Sequence, residues 1–141
     1  VVDFILLFIA MDFLMYVFHY IAHKILFLNQ FHELHHEYDS PTAFSLFVLH
    51  PIEVMGFGSI WLMLLYLGEF SFYAIMAYLI LNVMMGMIGH LRKEFIPDFL
   101  KNNTMFKWIA NTGFHVEHHQ NDVHNYGFYT KVWDRIFGTL K

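Results

Sequence analysis

Cysteine is absent from the 141-residue chain, proline occurs three times, and charged residues make up only 14%, against roughly 25% in ordinary soluble domains. The lack of cysteine excludes disulfides and any thiolate metal site. Imidazole and carboxylate are then the only strong metal ligands, a set that suits iron, zinc, copper or nickel. With so few charges and a formal net charge of −4, there is no basic surface for nucleic acid. No basic segment precedes the apolar start at Val1, so the first residues do not read as a signal peptide.

What is present is mostly apolar. Hydrophobic residues make up 57% and phenylalanine alone occurs 17 times, with a mean hydropathy of +0.45. This composition predicts a membrane protein, and the length predicts one domain over residues 1–141. Residues 1–18 are apolar except for Asp3 and Asp12, long enough to span a bilayer. Residues 41–67 and 70–89 form two further apolar runs, and the short link Gly68-Glu69 predicts an antiparallel hairpin. The expected fold is all-α, an integral-membrane protein of about three spanning helices with a histidine-rich metal-binding cap. The polar stretch 19–40 and the mixed remainder 90–141, with breaks at Pro97 and Gly113, would lie on one membrane face. Lys24, Arg92, Lys93, Lys101, Lys107, Lys131, Arg135 and Lys141 all fall on that face, and Asp3 and Glu69 on the other. The bias of basic residues places the histidine face in the cytoplasm. An apolar helix at the very start also predicts further membrane helices upstream.

Nine of the eleven histidines form the series His19-x3-His23, His32-x2-His35-His36, His90 and His115-x2-His118-His119. Neutral imidazole is the commonest metal ligand, and nine exceed what one ion takes, so the count predicts two metals. On a helix, residues at i, i+3 and i+4 share a face, so each box is expected to converge from one helical turn. Any one of these histidines reads more simply as a satisfied core residue, but nine in this register do not. Asp12, Tyr16, His19 and His23 share one helical stripe, and Asp12 lies where an ionisable group is costly. It is expected to accept the outer ring N–H of a ligating histidine and fix its tautomer. Glu33, Glu37 and Glu117 are interleaved with the boxes and are candidates for the same task, Glu33 and Glu117 foremost. His50, beside Pro51 and Glu53, reads as a helix start, and His124 lies outside the boxes. Met55, Phe57, Met63, Met84, Met85 and Met87 along the hairpin read first as packing and second as a lipid channel.

In order and spacing, the chain resembles the fatty acid hydroxylase and sterol desaturase superfamily of membrane-bound histidine-box di-iron oxygenases. The motifs that carry the resemblance run from Asp12 through His19 and His23, Phe31-His32-Glu33-Leu34-His35-His36, His50-Pro51-Ile52-Glu53 and Gly89-His90. They end with Phe114-His115-Val116-Glu117-His118-His119, Asn125-Tyr126-Gly127 and residues 133–139, and together cover about residues 8–139. The resemblance implies two iron ions, with zinc a substitute in a purified sample, held by His19, His23, His32, His35, His36, His90, His115, His118 and His119. It implies an enzyme that uses O2 and two electrons to hydroxylate or desaturate an unactivated C–H bond of a lipid. Electrons would come from NAD(P)H through a b-type cytochrome, ferredoxin or reductase, and no nucleic acid is involved. Members acting on acyl chains often carry one more histidine, at the position that is Glu94 here. The competing reading is a non-catalytic or metal-transporting membrane metalloprotein. Transport calls for ionisable groups spread through the bilayer, and here only Asp12 lies deep. Sterol, acyl chain, alkylglycerol and carotenoid all remain open as substrates.

Overall fold

The computed structural model describes residues 1–37, 42–91, 103–104 and 106–141. Arg92, Lys93, Lys101, Pro97 and Glu94, together with the first residue of the 41–67 run, lie outside the described residues. Among the described residues six α-helices carry the fold: α1 Val2–Lys24, α2 Leu26–His36, α3 Pro51–Leu67, α4 Phe72–Gly89, α5 Thr112–Gln120 and α6 Val132–Phe137. Short 3-10 turns at Ser45–Phe47 and Phe106–Trp108 fill the connections. The described residues hold no strand, only one antiparallel bridge between Ile109 and Thr130.

The first helix runs through the whole apolar segment and one further turn and a half, so His19 and His23 stand on it. It stops at Ile25, which is extended at φ −96° and ψ 112° and turns the chain into α2. The third helix starts later than the apolar run suggests, because Pro51 occupies its first turn and His50 caps it, Nδ1 accepting from Ile52 N at 3.2 Å. Ser71 caps α4 and Asn111 caps α5. Both α1 and α4 are long and apolar enough to cross a membrane, while α3 is apolar but has 17 residues.

The central helix α1 packs against α2, α3 and α4, and α4 against α5. Its buried stripe changes character along its length: Leu7, Met11 and Met15 near the start, then Tyr16, His19 and Ala22. Leu7, Met11 and Met15 meet Tyr78 and Tyr129 in a core ringed by Phe8, Phe57, Trp61 and Leu79. Asp3 Oδ2 accepts from Ser71 N at 3.0 Å. That bond pins the α3–α4 turn to the start of α1, so the hairpin turn and the histidines lie at opposite ends. Outward positions of α3 and α4, among them Met55, Leu62, Met63, Tyr66, Ile80, Met84 and Met87, are exposed. An apolar exterior this continuous belongs against lipid or another protein.

Candidate metal centre

All nine histidines of the series meet, though not box by box. One ring nitrogen each from His19, His23, His32, His36 and His118 forms a first group, and from His35, His90, His115 and His119 a second. Within each group the nitrogens lie within 4.8 Å of one another. The expectation that each box converges on one point is therefore corrected. Residues four apart stay together: 19 with 23, 32 with 36, and 115 with 119. The third member of each box, His35 or His118, crosses to the other group. Helix geometry permits the split, since residue i+4 sits about 40° round the helix from i, and i+3 about 60° the other way.

Most rings point Nε2 inward. His19 Nε2 lies 3.1 Å from His32 Nε2 and 3.3 Å from His23 Nε2, which is 3.0 Å from His118 Nε2. In the second group, His90 Nε2 lies 3.3 Å from His35 Nε2 and 3.1 Å from His115 Nε2, itself 3.1 Å from His119 Nε2. His36 Nε2 is buried with no hydrogen-bond partner. The outer nitrogens explain what these contacts are. His19 Nδ1–H donates to Tyr126 O at 2.8 Å, His32 to Glu53 Oε1 at 2.5 Å and His118 to His124 O at 2.7 Å. In the second group, His35 donates to Val48 O at 3.2 Å and His90 to Gly86 O at 2.9 Å.

A neutral imidazole that donates through Nδ1 has a bare lone pair at Nε2. The pairs His19–His32 and His35–His90 thus face lone pair to lone pair, one pair in each group. Protonation would relieve this, but burial and then the neighbouring imidazoles push His35 down to about 3, and burial foremost does the same for His36. The same causes hold His115 and His118 well below the usual imidazole range. Converging lone pairs of this kind are what a bound metal cation would engage. Nitrogens bound about 2.1 Å from one ion lie about 3 Å apart at right angles, the spacing seen here. The residues fit two metal ions held by neutral nitrogen.

The carboxylates do not sit where the sequence suggests. Asp12 touches no histidine. Its Oδ1 accepts from Tyr129 N and Thr130 N at 3.2 and 3.1 Å, and its Oδ2 from Thr130 Oγ1 and Trp133 Nε1 at 2.6 and 3.0 Å. Glu33 is exposed and accepts from Asn29 Nδ2, and Glu117 pairs with Lys141 at 3.7 Å. Residues 32–36 also spell the H-E-x-x-H pattern of zinc proteases, but an exposed Glu33 cannot serve as its base. The carboxylate that does hold a histidine is Glu53, the one buried residue of α3. Its signal was an acid in the first turn of an otherwise apolar helix, read as a helix start only.

Asp12 acts one step away, as the anchor of the C-terminal segment. Asp134 holds the turn above it, accepting from Tyr126 N and Gly127 N at 2.7 Å each and from Thr139 Oγ1 at 2.8 Å. Asn125 is left-handed at φ 63°, which asparagine tolerates. A Cβ at Gly127 would meet Thr130 O and lie 2.7 Å from Asp134 Oδ2, so only glycine fits. This turn delivers the carbonyls of His124 and Tyr126 to His118 and His19. His124 therefore contributes its backbone, and its side chain joins neither group.

Both groups border one cavity of about 210 Å³. His19, His32, His35, His90 and His115 line it beside Glu53, and Met15, Leu46, Phe57, Asn82, Val83 and Phe128 are part of the remaining wall. Of the hairpin side chains read first as packing and second as a channel, Met85 packs on the core, Met55, Met63, Met84 and Met87 face outward, and Phe57 lines the cavity.

A family profile described as "Fatty acid hydroxylase" matches residues 4–139. The chain belongs to this family. Among curated relatives, the lathosterol oxidase of Mus musculus is 30% identical over 135 residues, which is 92% of this chain and 42% of that protein. Methylsterol monooxygenase 1 of Gallus gallus is 29% identical over 125 residues, 86% of this chain and 41% of that protein. The cholesterol 25-hydroxylase-like protein of Caenorhabditis elegans is 45% identical over 53 residues, 37% of this chain and 18% of its own length. The chain spans about two-fifths of the first two relatives' length. No solved structure matches.

Proposed function

We propose that this chain forms the metal-binding, catalytic part of a membrane oxygenase that hydroxylates or desaturates a lipid with O2 and two electrons. The observation that carries the reading is the pair of lone-pair clusters opening on a single apolar cavity. Two iron ions held by the nine histidines would supply the activation of dioxygen needed to break an unactivated C–H bond. The chain's own residues do the rest. Glu53 and the carbonyls of Tyr126, His124, Val48 and Gly86 orient the rings and fix their tautomers, which raises ligand basicity. Met15, Leu46, Phe57 and Phe128 keep water from the reacting carbon and give a lipid tail an apolar wall. The sterol names of the relatives make a sterol the first substrate class to test.

In this reading α3 crosses with α1 and α4, and its 17 residues, about 26 Å at 1.5 Å each, come close to a thin bilayer. The histidine end faces the cytoplasm, where Lys24, Lys107, Lys131, Arg135 and Lys141 gather. A b-type cytochrome, ferredoxin or reductase fed by NAD(P)H supplies the electrons there. The test is metal analysis and oxygen uptake by the purified membrane protein loaded with iron. The expected result is two irons per chain and uptake that requires both a reductant and a 3β-hydroxysterol or other lipid. One metal per chain with no oxygen uptake would end the reading.

A further inference from the structure

The cavity wall holds one polar group that the metal clusters do not use. Asn82 is the only amide in α4, and Asn82, Gly86 and His90, at i, i+4 and i+8, all line the cavity. Two helical turns, about 12 Å, separate Asn82 from His90, so the amide stands at the end of the cavity away from the histidines. Its orientation is set by two tyrosines. Tyr78 is 1% exposed, and its hydroxyl has Tyr129 Oη as its one partner, at 2.6 Å. The Tyr78 proton therefore goes to Tyr129, and the Tyr129 proton goes on to Asn82 Oδ1 at 2.5 Å. With its oxygen so engaged, the amide turns Nδ2 away from the tyrosines, and Nδ2 finds no acceptor among the described residues. Asn82 is half-buried and lines the cavity, so an oxygen that enters there would give Nδ2 a partner in an otherwise apolar stretch of wall.

The rest of the lining says which ligand. Among the described residues no lysine or arginine lines the cavity, and the one acid that does, Glu53, is bonded to His32. At the Asn82 end, about 12 Å from His90 along α4, a carboxylate or phosphate would leave water with no counter-charge beside it among the described residues, at a large desolvation cost. A neutral oxygen meets no such penalty.

We propose that Asn82 Nδ2 is the specificity anchor of the cavity, hydrogen-bonding the uncharged hydroxyl or carbonyl oxygen of a lipid whose reacting carbon then lies within about 12 Å, against the histidines. This rests on the oxygenase reading for the word "reacting", but the anchor itself is tested by binding alone. Cholestanol and 5α-cholestane differ only in the hydroxyl, and palmitate supplies a charged head. Their equilibrium binding to the metal-loaded protein in nanodiscs is compared for wild type, Asn82→Val and Asn82→Thr. The two variants are near-isosteric and lose the amide oxygen alike, so any shared loss of packing cancels, while threonine keeps a donor.

Wild type is expected to favour cholestanol over cholestane by about tenfold or more, and palmitate to bind worst. Asn82→Val should bind both sterols alike, and Asn82→Thr should recover part of the preference. Equal cholestanol preference in wild type and Asn82→Val, or palmitate binding as tight as cholestanol, would overturn the proposal. If the preference depends on residue 82 while no lipid is ever oxidised, the anchor stands and the oxygenase reading fails. Should neither variant fold, a wild-type protein that binds cholestane as well as cholestanol rules the anchor out by itself.

Discussion

The two histidine groups use the same side chain and are held in different ways. The group of five is gripped from outside by the C-terminal turn and by a carboxylate, through Tyr126 O, His124 O and Glu53. The group of four leans on carbonyls of the segments beside it, Val48 O before α3 and Gly86 O one turn back on α4. Each group also has one outer nitrogen buried with no hydrogen-bond partner among the described residues, His23 Nδ1 in the first and His119 Nδ1 in the second. The five-histidine group thus depends on a tertiary clamp that reaches 107 residues along the chain, from His19 to Tyr126, and the four-histidine group mainly on α2, α4 and α5 being where they are. A metal in the first would be tuned by the charge of Glu53, and one in the second by neutral carbonyl dipoles.

The sharpest way to break the comparison is to remove one ligand from each group. His118→Ala should lower metal content from two to about one ion per chain and cut lipid oxidation by more than the roughly hundredfold seen when only an outer partner is lost. His115→Ala should do the same through the other group. Metal analysis of each purified variant reads the result. If either substitution empties both groups, they are not separable sites.

Glu53→Gln keeps shape and hydrogen-bonding ability but removes the charge behind His32. The expected effect is a tenfold to hundredfold loss of affinity for one of the two metals, seen as one shifted step in a chelator titration, with the other step unmoved. An unchanged titration would mean that the carboxylate adds nothing a neutral acceptor cannot. Asp12→Asn is smaller for the metals and reaches them only through the clamp. Its amide would face either the donors Tyr129 N and Thr130 N, or Thr130 Oγ1 and Trp133 Nε1. A loss of about 1–3 kcal/mol in stability is expected, with a few-fold weakening of the five-histidine group as Tyr126 O loosens. Thermal unfolding with and without metal separates the two effects.

These differences mark what could be read from sequence and what could not. The boxes and the apolar helices were legible because both are local patterns, fixed by spacing along one helix. The hairpin's placement was legible too, because Gly68-Glu69 allows no other return. The division of the ligands was not, since whether His35 or His118 joins its own box-mates depends on where α2 and α5 lie relative to each other. For the carboxylates the reason is similar. Asp12 lies on the histidine stripe, but the donors at residues 129–133 arrive from the far end of the chain and take both of its oxygens. Glu53 lay hidden in plain view, 21 residues from His32, because a single acid at a helix start also satisfies the helix dipole.

The smallest effect should come from His50, and it tests the comparison from outside. His50 is adjacent to the same helix start as Glu53 and stacks on Phe31 with ring centroids 4.5 Å apart, one residue from the ligand His32. Proximity alone would make it a tenth ligand. Its Nδ1, however, is spent on Ile52 N at 3.2 Å, and its ring belongs to neither group. His50→Ala should therefore cost about 0.5–1 kcal/mol, the ordinary worth of a helix cap, and leave both metals in place. The chelator titration should match wild type in both steps, in contrast to Glu53→Gln three residues further on. A lost or weakened metal in His50→Ala would extend the five-histidine group beyond the rings assigned to it and make the helix start a part of the metal site.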